Sequence, residues 1–500
     1  MKTKTERKPA IWFVVGSQHL YGPAALKEVE ADSKIVAEGL NAAGFPLPII
    51  LKPMVTRADE ITAFCKEANY DDDCLGVITW MHTFSPAKMW ATGLKLLEKP
   101  MLQLHTQLSP ELPWDKINMD FMNLHQTAHG GREFGHISAR LKKPFSVAVG
   151  HWKEERVTRK VDLWMRVCLA INESRNLKVA RFGDNMRDVA VTEGDKVEAL
   201  IRLGFTVDAF TSNDLAEVLA AVTDEEVKAT VADYEKRYIL TDVVRAGGSA
   251  RGNLEDSARL EVALRRFLEQ GGYRAFTTNF EALSGLKQLP GLAAQRLMAD
   301  GYGFGAEGDW KTSALTRILK VMGQGREGGA SFMEDYTYHF GPEGDLNLGA
   351  HMLEVCPTLA GKTKPVLDVQ PLGIGGKEAP ARLLFSCRSG PAVNVGIMDL
   401  GGRFRIVINE IDVIEPPHDL PKLPVARAVW KYRPDFETGV AAWIVAGGGH
   451  HTVLSLSLTA EHIRTFADEL GLECLVIGSK TDLDSFKNEL RWNDLYYRDR

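Results

Sequence analysis

The chain has 500 residues, 45% hydrophobic and 25% charged, an ordinary globular composition and more than a single hydrophobic core usually supports, so two to four domains are expected. Lys and Arg number 60 against 66 Asp and Glu, a net charge of −6 with no long basic run, which argues against nucleic acid as a partner because phosphate binding needs a clustered basic face. No stretch reaches the roughly 18 apolar residues of a membrane span, and the opening MKTKTERKPA leads only into IWFVV, too short for the apolar region of a signal peptide. The expectation is therefore a cytoplasmic protein with no membrane contact.

The first 150 residues alternate short Val/Ile-rich runs (IWFVVG, PLPIILK, CLGVITWM, PMLQLH) with amphipathic stretches. This is the pattern of βαβ units and a doubly wound parallel sheet, with ligand loops such as GSQHLYG and HTFSP at its carboxyl edge. A helix from about Glu154 to Ser174 leads into NLKVARFGDNMRDVAV and TVDAFTS, a second unit of the same kind. A further helix over 253–270 stops at Gly271 and Gly272. After about Thr363, short runs (PVLDVQPLGI, ARLLFSC, AVNVGIMDL, FRIVINEIDVI, HTVLSLSL) separated by Gly and Pro predict an antiparallel sheet or small barrel. The fold class read from this is α/β: two doubly wound parallel-sheet units, over 1–175 and 176–325, followed by a β-rich domain over 326–500.

Four metal-capable side chains stand in the last two hundred residues: Glu307 in GAEGDW, Glu334 in SFMEDYTYHF, His351 in GAHMLEVCP and His451 in GGGHHTV. Two carboxylates with two imidazoles make a mixed oxygen and nitrogen site suited to a divalent cation, although 13 histidines and 66 acids allow many such selections by chance. On a strand His450 and His451 would point to opposite faces, so one of them at most is expected to bind. GQGREG spells a GxGxxG fingerprint but follows a helical segment, where nucleotide binding requires a strand, and no phosphate loop or nucleophile elbow occurs. His129 precedes a glycine pair and reads equally as a ligand group or as an exposed residue at a helix start. The six cysteines (Cys65, Cys74, Cys168, Cys356, Cys387 and Cys474) form no CxxC pair and read as buried thiols.

Taken together, FVVGSQHLYG, HTFSPAKMW, LPWDKINMDFMNLHQTAHGGREFG, FGDNMRDVAVTEGDK, GLKQLPGLAAQRLMADGYGFGAEGDWKTSAL, SFMEDYTYHF, HMLEVCP and GGGHHTV strongly resemble the bacterial L-arabinose isomerases. The resemblance implies three domains and a hexamer whose active sites are completed by a neighbouring subunit. It implies Mn2+, with Co2+ as a substitute, held by Glu307, Glu334, His351 and His451, the two glutamates also serving as catalytic acid and base. It places sugar contacts at Gln18, Leu20, Tyr21 and His129, and a pocket lining at Phe84, Gln126, Met186, Phe280 and Ile374. The implied reaction converts L-arabinose to L-ribulose, and D-galactose to D-tagatose. Two carboxylates suit proton transfer through an enediol, with direct hydride migration from C2 to C1 as the alternative route, and activity is expected to fall below about pH 6 as the histidines protonate. His125, Asn279 and Gly449 depart from the family pattern, two of them beside pocket positions. Rival readings are a sugar-binding protein of the clamp type, a nicotinamide-dependent dehydrogenase resting on GQGREG, and an L-fucose isomerase-like activity.

Overall fold

The computed structural model describes residues 8–373 and 376–497, and the chain divides into two compact units, Met1–Asn172 and Glu173–Arg500.

In the first unit, β1 (Ala10–Val15), β2 (Ile49–Leu51), β3 (Cys74–Trp80), β4 (Met101–His105) and β5 (Ser146–Val149) form a parallel sheet in the order β2-β1-β3-β4-β5. Every residue of β1 and β3 is buried, as a parallel strand covered on both faces requires. Alternation then sorts the side chains. Ile11, Phe13, Val15, Ile78 and Trp80 pack with Val36, Leu40, Val161 and Trp164 on one face, while Trp12, Val14 and Val77 pack with Ile61, Phe64, Leu94 and Phe134 on the other.

The second unit opens with another parallel sheet, made from β6 (Lys178–Phe182), β7 (Thr206–Phe210), β9 (Ala275–Thr278) and β10 (Gly303–Ala306) in the order β10-β9-β6-β7. The short β8 (Ile239–Leu240) instead joins β13 (Val366–Val369) and β14 (Ala381–Leu384) in a three-stranded sheet. The helix expected over 253–270 spans Arg251–Gly271 and ends on Gly272 in the left-handed conformation. The helix expected from Glu154 runs over Glu155–Asn176.

The remaining strands are β11 (Ala330–Gly341), β12 (Gly344–Ala350), β15 (Gly390–Asp399), β16 (Phe404–Ile414), β17 (Arg427–Tyr432), β18 (His451–Ser455) and β19 (Glu473–Ile477). They form one sheet in the order β15-β18-β11-β12-β17-β16-β19. An additional β15–β16 pairing closes six of them into a ring, with β19 added in parallel to β16. Strand structure therefore begins at Ala330, well before the change of character expected near Thr363, and β11, β15 and β16 are 12, 10 and 11 residues long rather than short. The charges of Glu334 and Asp335 in mid-strand hide β11 from an apolar-run reading. No helix among the described residues is long and apolar enough to cross a membrane.

Candidate active site

Two sheets of the second unit bring the four candidate ligands together. On the antiparallel sheet, Glu334 of β11 lies opposite His451, the first residue of β18, and opposite Ala350, the last residue of β12, with His351 next in sequence. Three neighbouring strands thus deliver Glu334, His351 and His451 to one patch. Phe332, on the same face of β11 as Glu334, sits edge-on between the imidazoles, with ring centroids 5.0 Å from His351 and 5.2 Å from His451.

Glu307 arrives from the carboxyl end of β10, where open α/β sheets place ligands. Glycine is needed here. A Cβ on Gly303 would lie 2.1 Å from the Ser313 carbonyl oxygen and one on Gly305 2.6 Å from that of Asp309, so the strand can pack this closely against helix Trp310–Met322 only without side chains. Glu307 itself has φ of 62° and Gly308 80°, a left-handed pair that costs a non-glycine residue roughly 1 kcal/mol or more. Neighbouring loops hold it: the Met186 N–H donates to the Glu307 carbonyl (2.9 Å) and Gly308 N–H to that of Thr278 (3.2 Å), while Asn185 Nδ2 donates to Gly308 O (3.3 Å). Asn279, one of the departures from the family pattern, ties the same loops together by donating from Nδ2 to the Asp184 carbonyl (3.0 Å).

Side-chain oxygens of Glu307 and Glu334 and a ring nitrogen of His351 lie within 4.8 Å of one another. The Nε2 of His451 stands 3.3 Å from Glu334 Oε1 and 3.4 Å from Glu307 Oε2, and the Nε2 of His351 is 3.5 Å from Glu334 Oε1. Both Nε2 atoms are buried without a hydrogen-bond partner, whereas each Nδ1 faces a carboxylate: Asp309 Oδ2 at 3.0 Å from His451 and Glu354 Oε2 in close contact with His351. Carboxylates on Nδ1 fix the tautomer that leaves the Nε2 lone pair free, the usual backing of metal-bound histidine. A divalent cation fits this donor set: two carboxylates converge on two buried imidazole nitrogens that nothing else satisfies.

Asp309 and Glu354 were not singled out from sequence. Their signal is proximity, two residues after Glu307 and three after His351. Asp309 is 1% exposed and also caps helix Trp310–Met322, accepting from the backbone N–H groups of Lys311 and Thr312. Burial opposes its charge, but Lys311 (Nζ at 3.2 Å), His451 and Thr312 outweigh that and hold it ionised well below the usual carboxylate range. Burial likewise opposes protonation of His351, yet Glu334 and Glu354 raise its pKa to about 9; His451 is raised by Asp309, Glu307 and Glu334 against the same penalty. Glu334 is held below its ordinary value by His351 and His451 despite its burial. In the metal-free protein these groups therefore share protons that a cation would displace.

His450 calls for a correction. Strand β18 begins at His451, so strand alternation does not separate the two histidines, and ring nitrogens of both lie within 4.8 Å of a Glu307 oxygen. His450 is exposed, and among the described residues no carboxylate is seen hydrogen-bonding to its ring. His351 and His451 are the better-built ligands.

Met186 and Phe280 belong to the same unit, on the loops after β6 and β9 that support Glu307, and Phe280 packs against the core. Ile374 lies outside the described residues. The other sugar-contact candidates lie in the first unit. There Gln126 Nε2 donates to Tyr21 Oη (3.1 Å), Gln126 Oε1 is 3.1 Å from His129 Nδ1, and Phe84 stacks on His129 at 4.6 Å. Gln18 precedes the 3-10 turn His19–Tyr21, and Leu20 within that turn is 82% exposed. The glycines after His129 serve packing, since a Cβ on Gly130 would lie 2.9 Å from the Thr83 carbonyl and one on Gly131 2.5 Å from His105 Nδ1. His125, the second departure, packs its ring 4.2 Å from Phe121 and 5.1 Å from buried His82. GQGREG follows helix Trp310–Met322 with no strand before it, which removes the nucleotide fingerprint.

Three family models match in order: the L-arabinose isomerase N-terminal domain over residues 5–176, the central domain over 178–325 and the C-terminal domain over 329–473. The chain belongs to the L-arabinose isomerase family. Family relatives include the L-arabinose isomerases of Yersinia enterocolitica, 57% identical over 98% of both chains, and Serratia proteamaculans, 56% identical over 98% of both. That of Yersinia pseudotuberculosis is 57% identical over 98% of this chain and 99% of its own. Family membership makes the chain an enzyme of the aldose–ketose isomerase class.

Proposed function

We propose that the chain interconverts L-arabinose and L-ribulose, and D-galactose and D-tagatose, using a divalent cation held by Glu307, Glu334, His351 and His451. The observation that carries this reading is the pair of buried, unpartnered Nε2 atoms facing two carboxylates, each imidazole backed by a further carboxylate. When bound, the cation, Mn2+ with Co2+ as substitute, supplies Lewis-acid polarisation of the sugar carbonyl and opposes the charge that develops as the C2 proton leaves.

The chain's own residues do the rest. Glu334, kept ionised at neutral pH, and Glu307 form the carboxylate pair that takes the proton from C2 and returns it to C1. Asp309 and Glu354 hold the imidazoles in one tautomer. The strained Glu307 backbone, pinned by Met186 and the Gly308 contacts, keeps that carboxylate aimed without reorganisation during turnover. Gln18, Leu20, Tyr21, Phe84, Gln126 and His129, carried by the first unit, serve as sugar contacts, with Met186, Phe280 and Ile374 lining the pocket. The working assembly is a cytoplasmic homohexamer in which a neighbouring subunit completes each site.

Incubation with L-arabinose and Mn2+, followed by a colour reaction for ketose, tests the activity. Loss of turnover on chelation and its return with Mn2+ or Co2+ is expected, and full activity in metal-free protein would refute the cation's role. In D2O, deuterium at C1 of the ketose is the expected outcome of proton transfer, whereas its complete absence would favour direct hydride migration. An L-fucose preference in the same assay would displace the substrate assignment but not the reaction class.

A further inference from the structure

Near the start of β13, the end of β14 and the start of β17, the second unit carries a half-open cavity of about 940 Å3 that none of the metal-cluster or sugar-contact candidates lines. Four cationic side chains, Lys362, Lys364, Arg388 and Arg427, face it against one carboxylate, Glu415. That is a local excess of positive charge on a chain of net charge −6.

The cations are poorly compensated. Lys362 and Lys364 form no ion pair among the described residues. Among the described residues the Arg388 guanidinium reaches one carboxylate, Glu327 at 3.4 Å, whose side chain is 92% exposed. Arg427 donates from Nη1 to the Val425 carbonyl (3.1 Å), has no carboxylate in ion-pair contact among the described residues, and its buried Nε lacks a partner. The sole lining acid accepts a hydrogen bond from Ser389 Oγ at 3.2 Å, and Asp419 acts on Arg427 only at longer range. Buried Arg296, by contrast, holds both oxygens of Glu261 at 3.0–3.1 Å and Asp233 at 2.8 Å.

A concave surface of one sign focuses the field and concentrates counter-ions, and arginine with lysine is the usual combination for phosphate oxygens. The volume falls within the roughly 300–1,000 Å3 range of small-molecule sites and leaves room for more than a free anion, while Phe385 and Val366 add an apolar wall.

We propose that this cavity binds an organic phosphate monoester of sugar size, its phosphate held by Lys362, Lys364, Arg388 and Arg427. The assignment is independent of the metal cluster and of the substrate proposed above.

Calorimetric titration of the full-length Mn2+-loaded protein with D-ribose 5-phosphate tests it, with inorganic phosphate and D-ribose as the other arms. Saturable binding of the sugar phosphate is expected, with weaker binding of inorganic phosphate and none of ribose. Affinity for the sugar phosphate should fall at least tenfold in the Lys362→Gln/Lys364→Gln double variant and in Arg427→Gln. The two lysines are exposed, so the double variant should fold and keep its isomerase rate, which leaves the test decisive if Arg427→Gln does not fold. Heat no greater than that of ribose would overturn the proposal. So would undiminished affinity in the double variant, as expected of phosphate sitting on the metal, and so would inorganic phosphate binding as tightly as the sugar phosphate.

Discussion

Replacing Asp309 by Asn probes the metal site through a residue that touches no substrate. The Asp309 carboxylate accepts from His451 Nδ1 (3.0 Å), Thr312 Oγ1 (2.7 Å), Lys311 Nζ (3.2 Å) and the backbone N–H groups of Lys311 and Thr312 (both 3.1 Å). Asn has the same shape and keeps an oxygen for the helix cap. Its amide NH2, however, turns a donor towards His451 Nδ1, favouring the tautomer that carries its proton on Nε2 and removing the lone pair the cation needs. Loss of such a backing group typically weakens metal binding 10- to 100-fold, about 1.4–2.8 kcal/mol. Lys311, 1% exposed, loses its carboxylate but keeps the carbonyls of Val191, Thr192 and Glu193, so the metal-free fold should lose only about 1–3 kcal/mol. The assay is calorimetric titration of Mn2+ into metal-depleted wild type, Asp309→Asn and His451→Gln, with circular dichroism to verify folding. The expected order of affinity is wild type, then Asp309→Asn, then His451→Gln. A folded Asp309→Asn variant that binds Mn2+ like wild type would refute the orienting role.

Other consequences are equally specific. Gly308→Ala places a methyl group 2.6 Å from the Asn185 Cα and the Asp184 carbonyl, at a φ of 80°; a cost of about 2–4 kcal/mol is expected, read as a lower denaturant midpoint, and an unchanged midpoint would show that the loop yields freely. Because the pKa of His351 in the folded, metal-free protein is raised to about 9 from about 6.5 unfolded, the stability it contributes is complete below pH 6.5 and is lost as pH rises towards 9. The melting-temperature gain on adding Mn2+ should therefore grow from pH 6.5 to 9, which extends proton competition well above the pH 6 expected from an unperturbed histidine; a gain independent of pH would count against imidazole ligation. Burial pushes the thiols of Cys65, Cys74 and Cys474 up to about 12 and that of Cys387 higher still, so a thiol reagent at pH 8 should leave these four unmodified until denaturant is added. Rapid labelling of the native protein would show that these segments open readily.

The parallel-sheet units are readable from the chain because strands buried on both faces, such as AIWFVV and CLGVITW, are continuous apolar runs. The start of the barrel is not, because β11 carries Glu334 and Asp335 in mid-strand and its outer half exposes Tyr336, Tyr338 and Phe340, a mixture with no clean alternation. The four candidate ligands stand out because each is flanked by glycine, aromatic or polar residues rather than set in a solvated helix face. That they meet depends on strand register, Glu334 opposite His451 and Ala350, a long-range property absent from any local window. Asp309 and Glu354 escape notice for the same reason: an acidic residue two or three positions after a candidate ligand has no meaning until its oxygen is seen on an imidazole Nδ1, which for Asp309 belongs to the distant His451. Three of the glycines in GYGFGAEGDW are required by close approach of helix Trp310–Met322 and the loop at Asn185, a packing demand that no local reading of the segment shows.

Crystals grown with Mn2+ and measured at a wavelength that gives manganese anomalous scattering test the central claim most directly. A single strong anomalous peak per chain is expected, bounded by Glu307, Glu334 and the Nε2 atoms of His351 and His451, with both Nδ1 atoms still on their carboxylates. A peak ligated by His450 in place of His351, or one lying away from these side chains altogether, would contradict it.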